Sequence, residues 1–321
     1  MNNFFRLYAC CLLVKGAKRS MICDVQRTTF YLIPNGLYDI LNTHKGKSIG
    51  EIKEIYEHQY DEVIDEYFGF LIANEYVFWC NKEDLELFPD LDLFWDAPAH
   101  ATNAVVDVSE NSNHDFKSIF EQFETLGCKH FQLRVFVTKP LSYFEDILQE
   151  LENRRIISVE FIIEYSHETD FESLKMLVYK YPRVHNFIVH SANENKIYND
   201  NSGMGNIVFV KQVVDDESHC GIISSDYFSI NLKTFTESQK HNTCLNRKIS
   251  IDADGNIKNC PSMVKNYGNL RDITLKEAIE KQGFKQMWTI HKDQIEICKD
   301  CEFRQVLCFW DSVKVLRFIL K

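Results

Sequence analysis

The sequence predicts an α/β protein with a small N-terminal winged-helix-like domain, a partial (β/α) barrel and a C-terminal cysteine-rich domain. Three observations predict it. Aromatic and β-branched runs bracket helical patterns at the start, apolar strands then alternate with amphipathic helices, and six of the eleven cysteines crowd the last third. The divisions fall at 1–81 for the first domain, 82–101 for a linker, 102–235 for the barrel and 236–321 for the last domain.

In the first domain, residues 4–14 and 21–34 read as a hairpin turning at Lys15-Gly16-Ala17-Lys18. Residues 36–42 form a short helix with Leu37, Ile40 and Leu41 inward, and Ser48-Ile49-Gly50-Glu51 spells a capping box that opens a second. A third helix over 61–74 carries Val63, Ile64, Tyr67, Phe68, Leu71 and Ile72 on one face, and 76–80 returns as a strand. This is the order of a winged-helix domain. Its second and third helices bear Glu51, Glu54, Glu57, Asp61, Glu62, Asp65 and Glu66 against Lys53, which repels a phosphate backbone. A small sheet with an open edge has another use, accepting an extended peptide as an added strand. The alternative is a domain that only packs on the rest of the chain, since sheet edges are often covered.

The linker carries Pro89 and Pro98 among Asp, Leu and Ala. Beyond it, buried strands are expected at 104–108, 131–137, 156–163, 186–190 and 207–213. Helices fall between the first four. Phe116, Ile119, Phe120 and Phe123 share a face of the first, Leu141, Phe144, Ile147, Leu148 and Leu151 a face of the second, and Phe171, Leu174, Leu177 and Val178 a face of the third. Such a series closes as an open parallel sheet or part of a barrel, with its site at the C-terminal strand ends. Asp107, Ser109, Glu110, Asn111 and His114 lie there after the first strand, and Glu164, His167 and Glu168 after the third. They are candidates for acid/base chemistry, although polar residues after strands are usually solvated loops, and no G-x-G-x-x-G or Walker pattern accompanies them.

A net charge of −11 without a basic stripe excludes nucleic acid as an expected partner. No apolar run reaches about 18 residues, and the opening segment places its Lys and Arg after and within the apolar patch, so a cytoplasmic protein without a membrane partner is expected. In such a compartment many cysteines point to metal or redox chemistry rather than disulfides. Cys10, Cys11, Cys23, Cys80 and Cys128 lie in apolar periodic surroundings and read as core. Cys244 and Cys260 are different. A strand at 248–252, a turn at Ala253-Asp254-Gly255 and a strand at 256–259 place them at the open ends of one hairpin. Cys298-Lys299-Asp300-Cys301 is a C-x2-C knuckle, Cys308 follows it, and Cys220 is a further candidate ligand. All-cysteine ligation suits zinc and iron-sulfur clusters alike.

Cys244, Gly255 and Cys260 at their spacing resemble the opening of a SPASM domain, and Cys298-Lys299-Asp300-Cys301-Glu302-Phe303-Arg304 is similar to its following knuckle. More narrowly, Cys260-Pro261-Ser262-Met263, Tyr267-Gly268-Asn269-Leu270, Phe284, Trp288 and Lys292-Asp293 resemble the SPASM-domain peptide maturase of grasp-with-spasm systems. Ala101-Thr102-Asn103-Ala104-Val105-Val106-Asp107 is similar to that family's first barrel strand. The resemblance implies an N-terminal domain that binds a precursor's leader, a partial radical-SAM-like barrel, 4Fe-4S ligation by the C-terminal cysteines, and work beside an ATP-grasp ligase. Two departures matter. Radical SAM enzymes carry C-x3-C-x2-C after the first barrel strand, where this chain has Ser109-Glu110-Asn111-Ser112-Asn113-His114-Asp115, so cleavage of S-adenosylmethionine by the usual route is not expected. After the knuckle the family continues to two close cysteines, where this chain has Cys308-Phe309-Trp310-Asp311, leaving Asp311 as an oxygen ligand or one cluster site incomplete.

Three readings follow. One is maturation of a ribosomally made peptide with an iron-sulfur module; the second is an acid/base enzyme at the barrel mouth with a structural zinc; the third is a non-catalytic adaptor stapled by zinc or iron-sulfur.

Overall fold

The computed structural model describes residues 4–198, 205–217 and 228–307. The described residues fall into two compact units, one from 4–96, 228–243 and 290–307, the other from 97–198, 205–217 and 244–289. The α/β class is as expected, with a large, mostly parallel sheet. Among the described residues, no helix is long and apolar enough to cross a membrane.

In the first unit, β1 (Phe4–Leu7) pairs antiparallel with β5 (Val77–Cys80), while β2 (Cys11–Val14), β3 (Ser20–Asp24) and β4 (Thr29–Ile33) form a second, antiparallel sheet. The hairpin expected from two long runs is therefore four strands. Each run breaks at a turn that apolar content hides: Cys11 N donates to Tyr8 O at 2.8 Å, and the Asp24 carboxylate gathers Gln26 N and Arg27 N at 3.0 and 2.8 Å. Helices α1 (Asn35–Thr43), α2 (Ile49–Ile55) and α3 (Asp61–Ala73) cover these sheets, and the Ser48/Glu51 capping box at α2 is made on both sides. On α3 only Ile64, Phe68 and Leu71 are buried, at i, i+4 and i+7. Val63 and Ile72, expected inward, are each 40% exposed, because each lies about 100° around the helix from that narrow stripe.

The second unit holds an eight-stranded sheet in the order β10-β11-β9-β8-β7-β6-β12-β13. Its strands are β6 (Asn103–Val108), β7 (His130–Val135), β8 (Ser158–Glu164), β9 (Val184–His190), β10 (Lys196–Tyr198), β11 (Asn206–Phe209), β12 (Lys248–Ile251) and β13 (Ile257–Lys258). Helices α4 (Phe116–Leu126), α5 (Leu141–Glu150) and α6 (Phe171–Lys180) cross over between β6, β7, β8 and β9, which run parallel. Asp115 and Asp170 cap α4 and α6 by accepting from the third backbone N–H, and Gly127 ends α4 at φ +74°, where a side chain is strained. Val106, Leu133, Phe161 and Phe187 from the sheet meet Phe120, Phe123, Phe144 and Leu177 from the helices in one core.

The hairpin between Cys244 and Cys260 is part of this sheet. Its β12 lies parallel to β6, in register from Lys248 opposite Asn103 to Ile251 opposite Val106. Among the described residues, strand β10 and the α-helices α7 (Leu232–Ser238) and α8 (Leu275–Glu280) were not anticipated, nor were short 3-10 turns at Lys82–Leu87, Phe284–Met287 and Lys292–Gln294.

Candidate metal centre

The hairpin turn is built by its own side chains. Asp252 Oδ1 accepts from Asp254 N at 3.1 Å and Asn256 N at 2.8 Å, while its other oxygen pairs with Lys258 Nζ at 2.9 Å. Gly255 takes φ +85° at the tip, which explains a glycine at that place in the motif. Asn269 closes over it, donating to Asp254 O at 3.0 Å and Asn256 Oδ1 at 3.1 Å, while Tyr267 N donates to Ile257 O and Ile257 N to Gly268 O, each at 2.8 Å. The Tyr267-Gly268-Asn269-Leu270 stretch is thus the outer brace of the hairpin.

At its open end Cys244 and Cys260 are buried together with Leu245, against Met263 and Met287. Lys248, itself 4% exposed, donates from Nζ to Cys244 Sγ at 3.3 Å, and Ser262 Oγ lies 3.4 Å from Cys260 Sγ. Asn259 fixes the turn that leads from Cys244 into β12 by donating to Leu245 O and Lys248 O at 2.9 and 2.8 Å. An ammonium donating to a sulfur favours its thiolate form. The donor set fits a soft-metal or iron-sulfur ligand pair.

The knuckle belongs to the first unit. Cys298 is buried and Cys301 half-buried, and a Cys301 N to Cys298 O bond of 2.9 Å makes the tight turn. Burial pushes the Cys298 thiol above its usual range, against the pull of buried Lys292. The knuckle rests on the turn between β2 and β3: Ala17 N donates to Asp300 O at 2.8 Å, Arg19 pairs with Glu302 at 2.7 Å, and Arg304 donates to Lys15 O. A Cβ on Gly16 would stand 2.9 Å from Glu302 Cβ. Cys220, Cys308 and Asp311 lie outside the described residues.

Among the remaining cysteines, Cys11, Cys23 and Cys128 are buried and Cys10 and Cys80 half-buried. Burial raises the thiols of Cys23 and Cys128 to about 12. Among the described residues, Cys10, Cys11 and Asp24 form the one group of three whose ligand atoms lie within 4.8 Å of one another. Asp24 is occupied by its own turn and by Arg27 at 3.6 Å, and burial pushes Cys11 far up, so these residues close a turn.

The strand-end residues are tied into the fold. Asp107 forms a bidentate pair with Arg134, at 2.7 and 2.6 Å, and both are buried on the sheet face opposite the helices. Burial raises the Asp107 carboxyl to about 6 although Arg134 draws it down. His114 bonds to Asp107 O at 2.8 Å, Glu164 accepts from Thr138 at 2.9 Å, and Glu168 accepts from Leu141 N at 3.3 Å, while His167 is exposed. The loop after β6 is closed by Ser112, which bonds to Ser109 N at 2.9 Å and to Ala253 O of the hairpin turn at 2.7 Å. Lys248 and Arg134 are the functional-looking residues that sequence reasoning missed. For Arg134 a signal existed in the polar alternation of Gln132 and Arg134 along β7.

Residues 243–302 match SPASM, an iron-sulfur cluster-binding domain. This SPASM stretch contains both halves, Cys244 with Cys260 and Cys298 with Cys301. No curated protein sequence matches the chain. Among solved structures the chain is similar to SuiB of Streptococcus suis bound to S-adenosylmethionine, at 11% identity over 95% of this chain and 93% of that one, with a TM-score of 0.32. It is also similar to SuiB bound to its precursor peptide SuiA, at 9% identity over 94% of each chain and a TM-score of 0.33.

Proposed function

We propose that the chain takes part in maturing a ribosomally made peptide. In this reading residues 1–81 grip the precursor's leader, the SPASM domain holds a 4Fe-4S cluster, and an ATP-grasp ligase works beside it as in grasp-with-spasm systems. The observation that carries it is the SPASM match at 243–302, on a stretch whose Cys244 and Cys260 are buried together with Lys248 at 3.3 Å from Cys244. In this reading Cys298 and Cys301 are the second candidate pair of thiolates within the SPASM match, and Cys220 and Cys308 are the further candidates. When bound, such a cluster supplies electron transfer at a potential set by burial and by hydrogen bonds to its sulfurs. Lys248 and Ser262 place donors at two of those sulfurs, and Leu245, Met263 and Met287 keep water away. For the leader, β2 and β4 are the outer strands of their sheet, the position suited to main-chain pairing with an extended peptide.

A second reading is favoured by one observation. The loop at 109–115 has no cysteine and is stitched to the hairpin turn through Ser112, which suits an adaptor whose metal only secures the SPASM domain. Anaerobic purification tests both. Brown protein containing iron and sulfide is expected; colourless protein with stoichiometric zinc would overturn the iron-sulfur assignment. Turnover of a precursor by the purified chain alone would overturn the adaptor.

A further inference from the structure

The segment after β5 carries the sequence Phe88-Pro89-Asp90-Leu91-Asp92-Leu93-Phe94-Trp95-Asp96. It joins no sheet, yet its burial alternates residue by residue: Leu91, Leu93 and Trp95 are half-buried, and Asp90, Asp92, Phe94 and Asp96 exposed. Period-two burial without a ladder partner means an extended chain laid side-on against a surface. That surface is in the same unit. Leu91 and Leu93 pack on a cluster containing Val14, Met21, Phe235 and Val306, and Trp95 meets the His241 ring at 5.3 Å. At the N-terminal end of the segment, Arg6 lies 3.7 Å from Asp90 and donates to Phe88 O, and Lys45 also pairs with Asp90.

The segment does not fill the space. A cavity of about 310 Å³ remains between it and the strands, lined by Phe5, Leu7, Leu12, Asp90, Leu91 and Leu93 among others. Its walls include β1 and β2, the second of which is one of the two outer strands of its sheet. A groove with apolar walls and two cations at one end selects an extended peptide with apolar side chains at alternate positions and carboxylates between them. The segment has that chemistry.

We propose that residues 90–95 are a tethered stand-in for the peptide partner, occupying the β1/β2 groove until a leader of the same Leu-x-Leu, acid-flanked type displaces them. This rests on the reading of the first domain as a peptide-recognition domain and adds the ligand's chemistry and a built-in competitor. A tether this short holds its occupant at millimolar effective concentration, so a free peptide binds with its affinity reduced by the fraction of molecules whose groove is open.

The test uses the full chain and a fluorescein-labelled synthetic peptide of residues 88–96, followed by anisotropy. The Leu91→Ser/Leu93→Ser protein is expected to bind this peptide at least about tenfold more tightly than the unmodified protein. A peptide carrying the same two serines is expected not to bind. Asp90→Lys, at an exposed site, loosens the segment without touching its packing and should raise affinity about threefold, so the result does not depend on the double variant folding. Equal affinity of all three proteins for the free peptide, or no binding by either variant, overturns the proposal. Precursor peptides titrated in parallel separate the two levels. If they bind all three proteins equally, the tethered occupant is wrong and leader recognition stands; if the 88–96 peptide binds the variants and no precursor does, the groove stands and leader recognition fails.

Discussion

Lys248 Nζ donates to Cys244 Sγ across 3.3 Å, with the two side chains 4% and 3% exposed. The ammonium begins β12 and the sulfur sits four residues earlier, across a turn that includes Arg247 at φ +49°. Groups that hydrogen-bond metal ligands typically change metal affinity about 10–100-fold. Lys248→Met should therefore lower the iron and sulfide retained after anaerobic reconstitution. Iron and sulfide analysis of the two reconstituted proteins checks this; unchanged iron retention would count against Cys244 as a thiolate ligand.

The Asp107–Arg134 pair makes an asymmetric prediction. Arg134→Met leaves a carboxylate buried on the sheet face and should cost about 3–5 kcal/mol. The Asp107→Leu/Arg134→Met double variant should recover most of that loss, because apolar side chains of similar volume replace a buried pair at little cost. Urea unfolding of the single and double variants reads the difference. Additive losses would show that the two side chains do not depend on each other.

Legibility in the sequence followed period and turn chemistry. The helices α4, α5 and α6 were readable because each buries one stripe against one sheet face, and the hairpin at 244–260 because Asp254-Gly255 marks its tip. The breaks at Tyr8 and Asp24 were not, because strands on both sides are apolar and turns without glycine leave little trace. Helix α8 carries a legible signal, the complete capping box of Thr274 and Glu277, but spans only Leu275–Glu280, too short for a periodic stripe to show. At the candidate centre the cysteines were legible by spacing, but Lys248 was not: a lysine at the start of a strand reads as solvated until the turn at 245–247 folds it back over Cys244.

Gly16 and Gly69 should respond oppositely to a side chain. A Cβ at Gly16 would stand 2.4 Å from Arg19 O as well as against Glu302, whereas at Gly69, inside α3, nothing lies within 4 Å. Gly16→Val should destabilise by about 1–3 kcal/mol and raise amide exchange across 298–302, because the knuckle's seat is lost. Gly69→Ala should stabilise by up to about 1 kcal/mol by removing helix-interior glycine. Hydrogen exchange by mass spectrometry and thermal melts measure both, and unchanged exchange across 298–302 in the Gly16 variant would show that the turn does not seat the knuckle.

His114 gives the pH dependence. Burial lowers its pKa, outweighing the Asp107 carbonyl at 2.8 Å and the Asp252 carboxylate, which both favour the charged form. The neutral ring donates from Nε2 to that carbonyl, so folding holds His114 uncharged. The unfolded chain takes up this proton near pH 6.5, whereas the folded one resists it. Between those two values the unfolded state binds more protons, so the contribution is fully present above about pH 6.5 and is lost as pH falls through the lowered folded pKa. His114→Gln keeps an amide donor for the carbonyl and removes the titration. Compared with the unmodified protein across pH 7.5 to 5, it should lose less stability on acidification, a difference that also cancels the opposite slope from Asp107, whose carboxyl is raised to about 6. Parallel stability curves for the two proteins would show that His114 titrates as it does in the unfolded chain.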